Sequence, residues 1–501
     1  MRVWFLISDI DGFGGQHDGQ LGFESDCCRA KDNILTKHQV SHDAGELKVT
    51  RGFLGHPVGL GYLCLSYSFE RFAFYGMQAL LALYMTESLL KPGHIEHVWG
   101  LTALRHFIGG DSITIQALAS SIYGFYLAAC YATPLLGGLI ADRFLGRTPT
   151  VILGAVVLII GHFLMAFDAT FLIALATLLA GVGLMKGNVA TQIGELYAPD
   201  DLRRSDAFQI FVTSFQFSGV LAPLICGTLG EEVGWHYGYG AAGFSMVIAL
   251  IIYLSARRHY PPDPPIAMRT SGRRAAMTAG DRRTLGVLIA IVPVFGIVSV
   301  INDQIYNAYI IWGARRFDRM FFGYQMPATW LGSIDTIMAI ATAIIVLVFW
   351  RWFARNRDDA DEITKVAIAG FFIIAAGLTL ALASAVADAT GARISLWWAI
   401  AFEFCDGVGF AMLYAIGLAM FVRAAPRSLA GLIVGIFYIH LVISNLLVGW
   451  LGGLLGTMPD SQFWLIHAGF ASVGTALLFL FRGLFRAELA PVAALAAQSP
   501  Q

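Results

Sequence analysis

The sequence predicts an all-α, polytopic membrane protein. Of its 501 residues, 57% are hydrophobic and 13% are charged, whereas charged residues make up about a quarter of an ordinary soluble domain. Apolar stretches recur from Pro57 to Phe485 with short polar interruptions, and many reach the length of about 20 residues that a spanning helix needs. Helices are expected because backbone polar groups in lipid must be satisfied within the segment.

Twelve apolar stretches can be read as membrane spans, and one long polar segment divides them into two sets of six. That segment, residues 257–283, is basic and proline-rich, and we predict a linker there. We therefore predict twelve transmembrane helices in two six-helix halves, residues 53–256 and 284–487. A polar leader (1–52), disordered or preceding the true start, and a tail (488–501) complete the chain. The predicted spans are 58–88, 114–141, 149–167, 170–194, 206–229, 238–256, 284–313, 327–351, 363–387, 395–423, 429–455 and 463–486.

The placement of arginine and lysine predicts that both termini are cytoplasmic, because cytoplasmic loops carry the excess of these residues. The linker alone holds seven arginines, whereas the loops after spans three, five and eleven hold no arginine or lysine. The loop after span seven disagrees, since it contains Arg315, Arg316 and Arg319. The other loops together favour cytoplasmic termini, and we keep that prediction. We also expect a multi-pass protein of a bacterial inner membrane.

Several classes of function find no support in the sequence. The net charge is −1, so no basic field points to nucleic acid. The six cysteines form no CxxC pair, and neither GxSxG, HExxH nor a phosphate-binding glycine loop with lysine is present. We expect no enzyme activity, no cofactor and no metal. Two six-helix halves joined by a linker are instead typical of transporters, in which one half rocks against the other around a central site.

A glycine-rich, charged segment follows span two. Small residues allow helices to approach closely, Gly146 allows a tight turn, and an aspartate beside two arginines forms a charge cluster that could switch partners. The segment resembles the cytoplasmic loop signature of the major facilitator superfamily, in which the cluster latches the two halves in one state. The residues that carry this resemblance are Gly137, Gly138, Asp142, Arg143, Gly146 and Arg147.

Further motifs are similar to those of the proton-dependent oligopeptide transporter family. They are Phe69–Met77 (FERFAFYGM) in span one, Ile122–Gly124 (IYG) in span two, Gly183–Asn188 (GLMKGN) in span four and Gly234–Gly240 before span six. The resemblance extends from about Gly55 to Phe485. It implies a major facilitator fold and proton-coupled uptake of di- or tripeptides, with a peptide-like solute, protons and the lipid bilayer as partners and a monomer as the assembly.

A few ionisable residues lie within the predicted spans. Each costs roughly 2.5–3.5 kcal/mol at the bilayer centre, so such groups usually face a cavity and a partner. Adjacent residues on a helix point about 100° apart, and we therefore expect Glu70 and Arg71 each to find a partner elsewhere. The set is Glu70, Arg71, Lys186, Asp303, Asp335, Glu403 and Asp406.

The family resemblance assigns roles to some of these residues. It implies that Glu70 and Lys186 belong to a salt-bridge system that responds to protonation, and that Arg71 and Lys186 hold the substrate carboxylate. Substrate-binding residues would be Arg71, Tyr75, Tyr123, Lys186, Gln216, Asn307 and Asp335.

Proton coupling needs a carboxyl group whose protonation responds to burial and to a nearby cation. Asp303 in span seven is our candidate, because the family often has a glutamate there. The alternative is that Asp303 only pairs with Arg71 or Lys186 and never titrates.

The sequence departs from the family pattern mainly on the ligand side. Tyr67 stands where the family has a further glutamate, Gln216 and Asp335 stand where it has asparagines, and Phe410 replaces the glutamate that meets the peptide amino terminus. If Asp335 supplies the lost anion, a peptide still fits. Otherwise the site prefers another small organic carboxylate, with an aromatic group against Phe410, Tyr414 and Phe437. A substrate sensor that no longer transports is the remaining alternative.

Overall fold

The computed structural model describes residues 51–110, 112–198, 201–263, 277–357, 360–425 and 432–489, and these residues are mostly helical. The leader predicted over residues 1–52 and the end of the predicted tail lie almost wholly outside them. Two minimal hairpins depart from the all-α prediction. They pair β1 (Arg51–Phe53) with β2 (His56–Pro57), and β3 (Met320–Phe321) with β4 (Tyr324–Gln325).

The first half of the chain contains the helices that correspond to predicted spans one to six. Short extra helical segments follow spans one and two, and π-helical turns extend α1 over Met85–Leu89, α4 over Ala141–Leu145 and α7 over Pro223–Gly227 and Leu229–Val233. The α-helices are α1 (Val58–Tyr84), α2 (Leu101–Ile108), α3 (Ile115–Ala132), α4 (Pro134–Ile140), α5 (Arg147–Leu164), α6 (Phe171–Glu195), α7 (Arg203–Ala222) and α8 (Trp235–Ser255).

The second half contains the helices of predicted spans seven to twelve. A π-helical segment, Ala411–Ile416, joins the two parts of span ten. The α-helices are α9 (Ala279–Val298), α10 (Val300–Asp303), α11 (Ile310–Arg316), α12 (Trp330–Asn356), α13 (Glu362–Thr390), α14 (Trp397–Phe410), α15 (Gly417–Ala424), α16 (Ile433–Gly452), α17 (Asp460–Leu480) and α18 (Arg482–Leu489).

Ten helical stretches in the described part of the chain are long and apolar enough to cross a membrane, and they coincide with ten of the twelve predicted spans. Spans one and seven are the other two. Span one is a continuous helix, α1, which carries Glu70 and Arg71. The predicted helical, polytopic fold class is therefore confirmed.

Span seven is not the single helix that the sequence predicts over residues 284–313. It begins at Ala279, inside the predicted linker, where Thr278 and Asp281 form a reciprocal capping box. It is interrupted at Ser299 and again by a π-helical turn over Ile305–Tyr309. Gln304 compensates for the second interruption, because its Oε1 accepts the amide of Ala308 at 3.3 Å. Hydropathy cannot reveal such breaks, since it records the polarity of side chains and not the pattern of backbone hydrogen bonds.

The described start of the linker packs against the first half. Asp263 accepts the backbone amides of Arg147 and Thr148 at 2.7 and 3.2 Å, and thereby caps the first turn of α5, where backbone donors lack helical partners. The described start of the predicted linker (257–283) is therefore held against the first half through Asp263, and residues 264–276 lie outside the described chain.

Two of the three arginines in the loop after predicted span seven, Arg316 and Arg319, form ion pairs or hydrogen bonds with other residues of the protein. Arg316 pairs with Asp460 at 2.6 Å and with Asp388 at 3.0 Å. Arg319 is buried and donates to the backbone carbonyl of Met326 at 2.5 Å. Arginines held in this way do not act as free loop charges, which explains why the positive-inside pattern has an exception here.

Close helix contacts depend on particular glycines. At Gly137 a Cβ atom would lie 1.8 Å from the carbonyl oxygen of Gly183, so α4 meets α6 backbone to backbone. At Gly138 a Cβ atom would meet nothing within 4 Å. Gly146, with a φ of 90°, ends the π-helical turn before α5, a conformation that glycine adopts without strain. The predicted role of small residues thus applies to Gly137 and not to its neighbour.

We predict that Gly137→Ala destabilises the protein, because the added methyl group overlaps the backbone of Gly183. Overpacking of this kind typically costs about 1–3 kcal/mol. A thermal-shift measurement of the purified protein should show an apparent Tm several degrees below that of the wild type. Gly138→Ala, the matched control one residue away, should leave the Tm unchanged. Equal Tm values for the two variants would contradict the packing argument.

Candidate functional site

Glu70 and Arg71 form an ion pair with each other near the middle of α1. Arg71 Nε donates to Glu70 Oε2 at 2.6 Å, and Arg71 Nη2 lies 2.5 Å from Glu70 Oε1. Both residues are at least 96% buried. The expectation that each needs a partner elsewhere is therefore wrong in this conformation. The Cα–Cβ bonds of the two residues diverge, but the arginine side chain is long enough to bend back along the helix surface to its neighbour.

Aromatic rings enclose the guanidinium group of Arg71. Its Cζ lies 5.0 Å from the ring centroid of Tyr67 and 4.5 Å from that of Phe74, within the range of cation–π attraction. Tyr67 is the residue that stands in place of a family glutamate. The replacement therefore removes one negative charge and supplies a ring that stabilises the same cation.

Lys186 rests on an aromatic wall that continues into the second half of the chain. Its Nζ lies 4.4 Å from the ring centroid of Tyr131, and within the described residues it has no carboxylate within ion-pair distance. The ring of Tyr131 stacks on that of Tyr438 at 6.4 Å, and Tyr414 donates a hydrogen bond to the hydroxyl of Tyr438 at 3.1 Å. Tyr414 in turn stacks on Phe410 at 5.2 Å. We call these four rings, Tyr131, Tyr438, Tyr414 and Phe410, the aromatic wall.

The other predicted ligand residues of the first half lie in different surroundings. Tyr75 is half-buried and lies within electrostatic range of both Arg71 and Asp335. Tyr123 is 1% exposed, and its hydroxyl accepts a hydrogen bond from Gln78 at 3.0 Å. Gln216 is half-buried on α7 and has no side-chain hydrogen bond within the described chain. The structure thus leaves Tyr75 and Gln216 available to a solute and encloses Tyr123.

Asp303 ends α10, where span seven is interrupted. One of its carboxylate oxygens, Oδ2, is buried and has no hydrogen-bond partner among the described residues. The carboxyl group lies near Ser444 and within electrostatic range of Tyr123 and Tyr131. It forms no ion pair in the part of the chain that the structure describes. The alternative in which Asp303 pairs with Arg71 or Lys186 does not hold in this conformation.

Three further carboxyl groups meet in the second half, on α12 and α14. Asp335 lies within hydrogen-bonding range of Glu403, and Asp406 follows on the same helix. Asn302 donates to Asp406 Oδ2 at 2.6 Å. Glu403 and Asp406 are each 1% exposed, whereas Asp335 is half-buried. We call Asp335, Glu403 and Asp406 the acidic cluster.

Asn307 is fully buried between the two halves and does not face open space. Its side-chain amide donates to Gln304 Oε1 at 3.1 Å, and its Oδ1 accepts from Ser120 at 3.2 Å. It also packs against Gly452, where a Cβ atom would approach Asn307 Nδ2 to 2.3 Å. The prediction that Asn307 binds substrate is therefore not supported in this conformation, in which it joins α3 to span seven.

The two halves are also joined near the amino end of α12, the end predicted to face outside. Glu231 accepts the amides of Ala328 and Thr329, each at 2.8 Å, and the hydroxyl of Thr329 at 2.7 Å. Trp330 adds a hydrogen bond to Thr228 at 2.8 Å. A carboxylate at a helix amino terminus is stabilised by the unpaired amides and by the helix dipole. These contacts close the predicted outer end.

The predicted latch forms its described contacts within the first half. Arg147 Nη2 lies 3.5 Å from Asp142 Oδ1, and Arg147 also pairs with Glu195 at the end of α6. Asp142 and Arg143 are exposed. The halves are thus held together by hydrogen bonds at the predicted outer end, while the latch charges at the opposite end pair inside one half.

Sequence reasoning missed Tyr131 and Tyr438, which connect Lys186 to the second half. A phenol inside a span is a signal that could have found Tyr131, because its hydroxyl needs a hydrogen-bond partner in lipid. No local pattern marks Tyr438 as its neighbour, since the two residues come from different halves. The contact between Asp335 and Glu403 likewise cannot be predicted from the sequence, because the two residues lie on different helices.

Solved structures share this fold. A crystal structure of a peptide transporter in complex with sulfate superposes with a TM-score of 0.75 at 20% identity, covering 87% of this chain and 96% of that one. A POT family transporter in complex with 5-aminolevulinic acid gives a TM-score of 0.73 at 22% identity, covering 87% and 98%. These likenesses show that this chain has the same fold as those two proteins.

Sequence comparison then identifies the family. A profile described as the POT family matches residues 148–269 and 266–464, and this chain belongs to that family. The peptide transporter YePEPT of Yersinia enterocolitica is 27% identical over 474 residues, covering 80% of this chain and 89% of that protein. A di-/tripeptide transporter of Lactococcus lactis is 28% identical over 327 residues, covering 64% and 57%. The family resemblance predicted from the motifs is confirmed.

We predict that Glu70→Gln destabilises the protein strongly, because it leaves the Arg71 cation buried without an anion. Breaking a buried pair in this way typically costs about 3–5 kcal/mol. The double variant Glu70→Gln/Arg71→Gln, which removes both charges, should recover part of the lost Tm. A thermal-shift measurement of the wild type, both single variants and the double variant gives the coupling between the two side chains. Additive effects would show that the pair does not stabilise the protein.

Proposed function

We propose that this protein takes up di- or tripeptides together with protons by alternating access. The family to which it belongs and the functions of its relatives support transport of peptides. The main structural support is the distribution of charge across the aromatic wall. Arg71 and Lys186 supply cations from the first half, and Asp335 supplies a carboxyl group from the second.

A short peptide carries opposite charges at its two ends, and this arrangement offers a partner for each. Lys186 is held by a ring and not by a carboxylate, so it can form a charge-assisted hydrogen bond with a substrate carboxylate, the stronger kind of hydrogen bond. Asp335 is half-buried and would meet the substrate amino group. Tyr75, within electrostatic range of both Arg71 and Asp335, would line the space between them.

In the proposed cycle, Asp303 binds the coupling proton. Its buried, unpartnered oxygen lies on the interrupted span seven, and an interrupted helix can change shape at its breaks more readily than a continuous one. Glu70 and Lys186 would respond to the resulting change in charge. The Asp142, Arg143 and Arg147 cluster would exchange partners when the closed end opens.

The remaining features of the proposal follow from the same reasoning. We infer that residues 53–256 and 284–487 move as two halves about the linker, in a bacterial inner membrane with both termini cytoplasmic. The protein would act as a monomer, without a cofactor or metal, and would perform no chemical step on its substrate.

A second candidate is uptake of another small organic carboxylate. Phe410 is part of the aromatic wall in place of the family glutamate, and Asp335 already shares a contact with Glu403. Both features would make the site bind a peptide amino group more weakly. A family relative solved with 5-aminolevulinic acid shows that such a ligand can occupy the fold.

Uptake into proteoliposomes tests the proposal and separates it from its alternatives. With an inward proton gradient, labelled dialanine should accumulate above its equilibrium level. Accumulation of small amino carboxylates without any peptide would favour the second candidate. Ligand binding without accumulation of any solute would indicate a sensor and overturn the transport proposal.

We predict that Lys186→Ala abolishes proton-driven uptake. The variant lacks the cation that would bind the substrate carboxylate and that has no carboxylate partner among the described residues. The measurement is accumulation of labelled dialanine in proteoliposomes. Lys91→Ala is the matched control, since Lys91 is exposed and pairs with Glu87 at 3.1 Å. Normal accumulation by the Lys186→Ala protein would refute the proposal that Lys186 binds the substrate carboxylate.

We predict that Asp303→Asn removes proton-driven accumulation and spares exchange of substrate across the membrane. The amide fills the same space and cannot carry the coupling proton. Counterflow of labelled against unlabelled dialanine measures exchange, and Asp318→Asn, the same change at an exposed loop position, serves as the control. If both activities survive the Asp303 change, the residue is structural.

A further inference from the structure

The acidic cluster is formed by different helices from the residues to which the family motifs assign proton coupling, although Asp303 lies within electrostatic range of Asp406. Glu70 and Lys186 belong to the first half and Asp303 to span seven, whereas Asp335, Glu403 and Asp406 come from α12 and α14. Glu70 is neutralised by Arg71. Among the described residues no comparable cation accompanies the acidic cluster, and its charge must be balanced in another way.

The groups that face the cluster are acidic or neutral. From span seven come Asp303 and the amide of Asn302, and from α1 comes the hydroxyl of Tyr75. Within the described chain, no arginine, lysine or histidine contributes to this environment. The titratable side chains within electrostatic range of the cluster are Asp303, Tyr75, Tyr306, Tyr309 and Cys405.

The contact between Asp335 and Glu403 requires a hydrogen between two carboxyl groups. Ionised carboxylates only accept hydrogen bonds, so two of them within hydrogen-bonding range repel each other unless one is protonated. This repulsion is stronger inside a protein than in water, because the effective dielectric constant is lower there. A single shared proton removes this repulsion and forms a strong O–H···O⁻ hydrogen bond.

A second observation, independent of the carboxyl pair, also points to a bound proton. The hydroxyl of Tyr309 is completely buried, faces Glu403 and has no hydrogen-bond partner among the described residues. Glu403 Oε1 and Asp406 Oδ1 are buried and unpartnered as well. Buried polar atoms are rarely left without partners. The hydroxyl of Tyr309 can donate to one carboxylate oxygen, so at least one further buried carboxylate oxygen still lacks a donor, which a proton bound to the cluster would supply.

We propose that Asp335 and Glu403 share one proton, with Asp406 and Tyr309 beside them, and form a second proton-binding site in the carboxy-terminal half. This inference rests on the proposed function for its part in coupling, because a protein without proton-driven transport would hold the same proton without using it. The protein would then carry one titrating site more than the family motifs predict. Asp335, half-buried at the edge of the site, connects it to the substrate region near Tyr75.

Infrared spectroscopy of the purified, full-length protein in lipid nanodiscs tests the shared proton directly. A protonated carboxyl group has a C=O stretching band that moves to lower frequency in D₂O. The wild type should show this band at neutral pH. The double variant Asp335→Asn/Glu403→Gln, which keeps side-chain size and hydrogen bonding, should lose a component of it. Spectra in which the double variant and the wild type have the same band would overturn the proposal.

Two controls restrict the assignment to the carboxyl pair. Asp406→Asn keeps the Asp335–Glu403 contact and should retain the component, and Glu87→Gln, at an exposed position, should not alter the band. If the double variant does not fold, absence of any D₂O-sensitive carboxyl band from the wild type at neutral pH still refutes the proposal. Because the measurement needs no substrate, a positive band with failed dialanine uptake would contradict the proposed function and leave the shared proton standing.

Discussion

The cost of an uncompensated charge inside a lipid-embedded helical bundle shapes this protein more than any other single constraint. The chain places only a few ionisable groups in its spans, and the structure gives most of them a means of compensation. Glu70 and Arg71 neutralise each other, and Lys186 lies over an aromatic ring. Because each buried charge is compensated by different partners, the site is asymmetric. The first half supplies the cations Arg71 and Lys186, and the second half supplies the carboxyl groups of the acidic cluster.

That asymmetry links substrate chemistry to conformational change. In the proposed cycle, a bound solute that carries its own charges would replace the compensation that the protein otherwise makes internally. Glu231 and Asn307 join the halves at the predicted outer end, while Arg147 at the other end pairs with Glu195 of its own half. The charged groups between these ends are therefore in a position to bias which end is closed.

The departures from the family pattern form a coherent group in the structure. Tyr67 and Phe410 both replace carboxyl groups with rings, and both rings join the aromatic surroundings of the cations or the aromatic wall. Asp335 replaces a neutral amide with an acid and contacts Glu403. Asp335 thus adds a carboxyl group beside Glu403 in the acidic cluster.

The sequence by itself determined the fold class, ten of the twelve spans and the family, because hydropathy and short motifs are local properties that the tertiary structure preserves. Tertiary structure alone decided the partners of the buried charges. Neighbours on α1 became an ion pair, Asn307 joined two helices, and Asp335 met a residue 68 positions later. Such contacts depend on side-chain length and on the packing of distant helices, which no pattern along the chain records.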